Sequence, residues 1–339
     1  MRRVAAGSAS SAGLDRADPP FEELLTLACR APSVHNTQPW QWRLRAGQLT
    51  LVADRSRQLK HADPDGRDLL LSCGAALQHV QVVAAALGWS ARVRRLPDRA
   101  DEEVLASITF SPTATTPSAR ALLRAVRARQ TDRRRFMSWP VAPERLHSLA
   151  ATGAQWGAQV LPVAGRTIRS RLRELTLEAD ATQRRDPDYL NELQSWVRSG
   201  DDGMAADVLP SREAVTATHG SVNRRFPYGS LTDPVASSQA AADEMLLICT
   251  RADDVLSCLR AGEAMSAVWL RATYEQLSVV PLSQALEVAE TRREIKHVIL
   301  GDLACPQILL RVGWLPVGRS HLPPTPRRPV TEVLFREPG

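Results

Sequence analysis

A chain of 339 residues, 44% of them hydrophobic, can bury one large core or two ordinary ones, which excludes fibrous and disordered classes. The net charge of +6 comes from arginines spread along the whole chain, without glycine–aromatic signatures or a basic recognition-helix face, so no nucleic-acid partner is expected. Cys29, Cys73, Cys249, Cys258 and Cys305 are odd in number, far apart and set among apolar neighbours, which predicts reduced, buried thiols rather than a disulfide framework or a zinc site.

Residues 1–18 carry small residues where a signal peptide needs a leucine-rich middle, and read as a flexible tail. No apolar run reads as long enough to cross a bilayer, so no membrane partner and a cytoplasmic location are expected. From Pro19 the pattern turns helical, with Phe21, Leu24, Leu25 and Ala28 on one face until Pro32. Trp40–Leu44 and Leu49–Ala53 follow as strands joined by a hairpin at Ala46-Gly47. From Cys73 to Leu87, an apolar stripe of Leu77, Val80, Ala84 and Leu87 opposite small residues predicts a central helix. Strands around Ala91–Leu96 and Leu105–Phe110 come next, before a Ser/Thr/Pro-rich break over Pro112–Pro117.

The same order then begins again. Helices are predicted at Ser118–Ala128 and from Pro143 through Leu149, then a strand at Ala158–Pro162. Much later comes the strand Met245–Cys249, and a helix opening at Gly262 with Met265, Val268, Trp269 and Ala272 on one face. Gly74-Ala75-Ala76-Leu77 and Gly262-Glu263-Ala264-Met265 hold equivalent places, which predicts an internal duplication: a first half at 19–115 and a second at 118–339. An insertion at about 169–235 fits neither copy. It begins with a charged helix over Arg169–Glu178, continues with a helix from Asp186-Pro187 through Val197, breaks at Gly200-Asp201-Asp202-Gly203, and runs on through Asn223-Arg224-Arg225-Phe226-Pro227-Tyr228-Gly229. It reads either as a flap over something apolar or as a linker.

Familiar catalytic signatures are absent: no glycine-rich nucleotide loop, no H-E-x-x-H, no G-x-S-x-G, and seven histidines without metal-ligand spacing. No catalytic residue and no metal site are therefore assigned. Two segments remain. In Ala31–Trp40, two prolines bracket Ser33, Asn36 and Gln38 at a helix-to-strand junction, so their polar groups sit in a stiffened loop. Such amides can serve a ring edge of alternating donors and acceptors, or equally form an Asx-turn that starts the strand. In Arg127–Arg135, Arg129, Thr131 and Arg133 alternate, so an extended stretch points two guanidinium forks and a hydroxyl one way, toward a phosphate, with their neighbours facing water. A charged, solvated turn is the other reading.

Those two segments, with Gly301–Gly313 and Arg328-Pro329-Val330, resemble the FMN-binding nitroreductase superfamily, in its duplicated Acg-like branch, over nearly everything from Pro19 to Leu334. The resemblance implies an α+β nitroreductase-like fold duplicated in one chain, a pseudo-dimer of central helices flanked by mixed sheets. It implies one complete flavin site, since the first half keeps the Ser33, Asn36, Gln38 and Trp40 loop while the matching Thr152–Gly157 has lost it. FMN is the implied cofactor, with NAD(P)H as electron donor and a small nitroaromatic or quinone-like acceptor. Arg129, Thr131 and Arg133 would hold the phosphate with Arg311 as a further partner, Ser33, Asn36 and Gln38 would face the ribityl chain and pyrimidine edge, and Ser283 in the turn Val280–Gln284 would lie near the redox edge. Oligomerisation is compatible with such a site but not required for it. The insertion, as a lid, would limit turnover or make the protein a flavin store.

Overall fold

Two 20-residue helices, α2 (Arg67–Ala86) and α7 (Val255–Tyr274), lie against each other at the centre of the molecule. The chain is described by a computed structural model over residues 18–98, 100–198, 203–211, 214, 224–232, 243–316, 318 and 322–338. Almost all of the expected tail, residues 200–202 of the expected helix break, and Asn223 lie outside those residues. At the helix crossing, a Cβ on Gly74 would meet the Leu259 carbonyl oxygen at 2.1 Å and one on Gly262 the Leu71 oxygen at 2.0 Å. The approach is therefore open only to glycine at both positions. By length and composition α2 could cross a bilayer, which corrects the sequence reading; most of it is buried inside the molecule, as a central core helix must be.

Each central helix sits between two strands of its own sheet. In the first sheet the order is β3 (Trp89–Arg95), β4 (Val104–Pro112), β2 (Gln48–Ala53), β1 (Trp40–Arg45), β9 (Leu334–Arg336); in the second it is β5 (Gln159–Pro162), β6 (Glu244–Thr250), β8 (Cys305–Trp314), β7 (Leu277–Leu282). All pairings are antiparallel except that of β9 with β1. The β1–β2 hairpin turns at Ala46 and Gly47, both with positive φ, the conformation that matches strand twist. Since β9 joins β1, the end of the second half closes the first half's sheet, and the chain just before it crosses the surface between the halves. One apolar core runs through both halves, joining Trp40, Trp42 and Leu51 to Leu77, Leu259, Trp269 and Leu310. This is the expected α+β, duplicated, pseudo-dimeric architecture.

The remaining helices are α1 (Phe21–Ala28), α3 (Pro117–Ala128), α4 (Pro143–Ala154), α5 (Arg166–Gln183), α6 (Pro187–Arg198) and the short α8 (Gln284–Glu287), α9 (Ala289–Glu294) and α10 (Val330–Val333). The insertion divides in two. Leu172 and Leu175 of α5 bury against Met245, Leu247, Ala285 and Leu309, so α5 belongs to the outer face of the second sheet. Tyr189, Leu193 and Val197 of α6 instead form a small separate core with Leu59, Ala62, Met204, Val208 and Leu209, against which Val34 and Phe226 pack. Only the part from α6 onward is placed over the Ala31–Trp40 loop.

Candidate functional site

Pro32 ends the turn after α1, Pro39 leads into β1, and between them His35, Asn36 and Gln38 adopt φ of 44°, 59° and 48°. Left-handed backbone at a non-glycine residue costs roughly 1–2 kcal/mol, so three in one loop must be held by their surroundings. The holding bonds come from four directions. Ser33 Oγ accepts the Gln38 N–H at 3.0 Å, and Ser72 Oγ of α2 accepts the Val34 N–H at 3.1 Å. Gln38 Oε1 accepts the Arg328 N–H at 2.9 Å, and Asn36 Nδ2 donates to the carbonyls of Gly203 and Pro326 at 2.9 and 3.1 Å.

The strained loop forms one wall of two adjoining cavities that share Pro32, Ser33, Arg133 and Pro281. The first is walled by His35, Leu71, Met265 and the β7–α8 turn Val280–Gln284, with Phe226 and Arg224 of the insertion at its rim. It is a mainly apolar slot. The second holds the cations Arg30, Arg129, Arg133 and Arg327, with Thr131, Asn36 and Trp269 beside them.

Among the described residues, no carboxylate lies within ion-pair distance of Arg30, Arg129 or Arg327. Arg129 is buried with its guanidinium carbon 4.5 Å from the Trp269 ring centroid, and Arg129 and Arg327 both donate to the Arg30 carbonyl, at 3.1 and 3.3 Å. Buried Nε and Nη1 of Arg129, and Nε of Arg30 and Arg327, have no partner. Burial, then Arg327 and Arg30, pushes Arg129 down to about 9; burial, then Arg30, pushes Arg327 down to about 10. Buried cations with empty donors are costly unless an anion joins them. The donor set suits a phosphate, and the apolar slot beside it a planar ring. The residues present thus fit FMN.

The sequence-predicted residues separate into those at the slot and those behind it. Ser33 lines both cavities; Arg129, Thr131 and Asn36 line the cationic one, Ser283 the apolar one, and Arg133 lies at their junction. The Ser283 hydroxyl is committed to Glu287 Oε1 at 2.6 Å. Gln38 is fully buried and lines neither cavity; its side chain braces the strained loop against Asn36 O and Arg328 N. Arg311 is likewise not where the resemblance implies. It is fully buried over Phe136, faces Asp243, and donates to the Arg133 and Arg134 carbonyls at 3.3 Å, so it supports the clamp segment from behind. Of the neighbours expected to face water, Gln130 is exposed, but Asp132 and Arg134 are buried as an ion pair at 2.6 Å, which stiffens the segment.

Sequence reasoning missed Arg30, His35, Arg224 and Arg327. Arg30 directly precedes the recognised loop and Arg327 the recognised Arg328, so adjacency was the available signal. His35 is held neutral by burial and by Arg224 and Arg133, and its Nε2 accepts from Arg224 Nη1 at 3.0 Å. Phe226 meets the His35 ring edge-on at 6.0 Å and lies under Arg133 at 5.1 Å. Trp196 lies under Arg57 instead, and Tyr228 is exposed.

No family model matches the chain. It is 40% identical over 315 residues, 92% of this chain and 90% of the relative, to a Mycobacterium tuberculosis protein provisionally named NAD(P)H nitroreductase Rv3131. A second M. tuberculosis relative, provisionally named NAD(P)H nitroreductase acg, is 33% identical over 93% of this chain and 95% of its own length. Among solved structures, a nitroreductase with bound FMN from Bacteroides fragilis aligns at TM-score 0.38 and 11% identity over 60% of this chain and 92% of that one, too distant to support any argument. On the extent and level of the first two matches, the chain belongs to the NAD(P)H nitroreductase family, in its Acg-like branch.

Proposed function

We propose that the paired cavities hold a single FMN, and that the flavin passes electrons from NAD(P)H to a small nitroaromatic or quinone-like acceptor. The observation that carries the reading is the group of Arg30, Arg129 and Arg327, which has no carboxylate among the described residues and borders an apolar slot. Bound there, FMN would supply the hydride chemistry. The chain's part is to clamp the phosphate with Arg129, Arg327 and Thr131, to confine the ring between His35, Met265 and Val280–Gln284, and to exclude water.

A second reading, a protein that stores or shields FMN, is favoured by one feature. Arg224 and Phe226 line the apolar cavity, and Arg224 is bonded there to Glu287, Tyr189 and His35. A cover so anchored limits the approach of a nicotinamide to the ring. The test is the flavin content of purified protein. One FMN per chain, released on denaturation, supports the site; FAD, two flavins per chain, or no uptake of added FMN would overturn it. Given bound FMN, the rate of flavin reduction by NAD(P)H separates enzyme from store.

A further inference from the structure

Three carboxyl groups gather behind the apolar end of the cleft: Asp63 in the loop before α2, Asp68 in the first turn of α2, and Glu287 at the end of α8. Asp63 and Asp68 are buried, and the Glu287 side chain is 2% exposed. All three line one small cavity with Arg67 and Arg292, and Asp68 also lines the apolar cavity of the cleft.

Two of the three are satisfied. Glu287 is ion-paired with Arg224 and accepts from Ser283 Oγ at 2.6 Å and Gln183 Nε2 at 2.7 Å. Asp63 Oδ2 accepts the Leu69 N–H at 2.8 Å; burial outweighs this bond and those from the Asp68 and Arg67 N–H groups and lifts Asp63 to about 7, so its oxygens are bonded to the helix N-terminus although its charge is only partly held there. The nearer cations are committed elsewhere: Arg67 to Asp253 and to Gln307 Oε1 at 2.9 Å, Arg292 to Asp65 at 3.6 Å. Among the described residues, nothing donates a hydrogen bond to the Asp68 carboxyl and no cation lies within ion-pair distance of it. The other charged or titratable groups facing it across the cavity are Arg133, His35, which is neutral, and Tyr189 behind Arg224. A third buried carboxylate beside two others, with no cation left for it, is relieved by taking a proton. Burial, then Asp63 and Glu287, holds Asp68 well above the usual carboxylate range against the pull of Arg224 and Arg67.

We propose that Asp68 is a neutral carboxylic acid in the working protein and donates its O–H as a hydrogen bond to an oxygen of an aromatic ligand stacked against the flavin ring at the apolar end of the cleft. The ligand class is an aromatic bearing a carboxylate, phenolate, nitro or quinone oxygen. A carboxylate at the same place would repel that oxygen, so the proton decides whether the site accepts the ligand. The assignment of this end to substrate rests on the flavin reading; the proton on Asp68 does not.

Two measurements test it. In protein labelled with 13C in its aspartate carboxyls, a resonance that remains protonated at pH 7 and vanishes in Asp68→Asn is expected, with or without FMN. Asp63, lifted to about 7, contributes a second, partly protonated resonance that persists in Asp68→Asn; if no aspartate is protonated at pH 7, or no protonated resonance is lost in Asp68→Asn, the proposal is overturned. In FMN-loaded protein, benzoate binding is followed through the flavin spectrum from pH 6 to 8.5, where benzoate itself keeps its charge. Affinity in the native chain should hold through neutral pH, where Asp68 keeps its proton, and fall only where that proton is lost. It should be independent of pH and within about threefold of the native pH 6 value in Asp68→Asn, which keeps a donor, and about tenfold weaker in Asp68→Ala, the loss of one such bond. Equal benzoate affinity in all three proteins overturns the donor role even if the proton is found. A chain that takes up no FMN overturns the flavin reading, and with it the substrate half of the proposal, while the carboxyl resonance still decides where the proton is.

Discussion

Arg95 Nε lies 2.7 Å from Glu263 Oε2, and the pair stands where a second flavin site would be. Arg95 follows Gly74 by 21 residues, as Ser283 follows Gly262, so Arg95 takes the position in the first half that borders the slot in the second. Gln81, which donates to Glu263 at 2.9 Å, matches Trp269 beneath Arg129, and Arg260, close to Gly157 of the degenerate loop, matches Ser72 beneath the intact one. On the proposed single-site reading, the duplication keeps its frame and the place of a second site is filled by an ion pair whose Glu263 is fully buried.

Removing one partner of that pair leaves a buried charge and costs about 3–5 kcal/mol. Arg95→Met should therefore lower Tm markedly, while Arg95→Met combined with Glu263→Leu restores much of the loss. Flavin content should stay at one per chain in both, measured by absorbance after denaturation. A second equivalent of FMN in the double variant would mean that the filled site retains a binding function.

The phosphate clamp predicts a bounded pH range for FMN binding. Arg129 is pushed down to about 9 in the free protein, chiefly by burial, and a bound phosphate would favour its charged form. Protonation of the free guanidinium is then linked to binding, so affinity is retained below pH 9 and lost as pH rises through it. At the acid side, FMN loses its second phosphate charge below about pH 6. Fluorescence titration should show a plateau between these limits. Arg129→Ala should weaken binding by about 1.5–3 kcal/mol across the plateau, because a bond to a charged group is lost, and should also change Tm, because its stacking on Trp269 in the core is lost.

The helix crossing gives the most local stability prediction. Gly262→Ala places a Cβ against the Leu71 carbonyl, a backbone atom that cannot rotate away. Overpacking of this kind costs about 1–3 kcal/mol, and separating α2 from α7 disturbs a core shared by both halves. Thermal unfolding should show a lower Tm in Gly262→Ala and in Gly74→Ala, and a smaller fall in Gly301→Ser, where no heavy atom lies within 4 Å and only the strain of a positive φ, about 1–2 kcal/mol, is felt.

Periodicity made the central helices, both hairpin strands and the duplication legible, because each has one apolar face turned to the shared core. Alternation likewise pointed to Arg129, Thr131 and Arg133. It failed for Asp132 and Arg134, since alternation says which side chains share a direction and not which direction is solvent. Arg311 was misplaced for a related reason: a guanidinium that supports the backbone of a clamp and one that grips the ligand are the same residue type at neighbouring positions. Arg30, Arg129 and Arg327 come from segments far apart in the chain, and only folding shows that these three cations meet with no carboxylate among the described residues, while Arg224 is brought to the other cavity with Glu287 as its partner.

The last prediction concerns what holds the cover shut. Arg224 reaches into the cleft from the segment after α6, where it is bonded to Glu287, to His35 Nε2 at 3.0 Å and to Tyr189 Oη at 3.3 Å. Glu287 is fixed on α8, directly after the turn that walls the apolar slot, so the ion pair ties the segment after α6, the proposed cover, to that wall. Both side chains are largely buried, and breaking such a pair leaves one charge stranded, which favours a state in which the cover lifts and water reaches it. We expect Arg224→Ala and Glu287→Gln each to accelerate reduction of bound FMN by NAD(P)H or dithionite, measured by stopped-flow bleaching of the flavin. Replacing 186–230 with a Gly/Ser linker should accelerate it further. Arg57→Ala, whose partner Trp196 lies on α6 away from the slot, should change it least. Rates that are already fast in the native chain, and unmoved by any of these changes, would show that the segment does not gate the flavin at all.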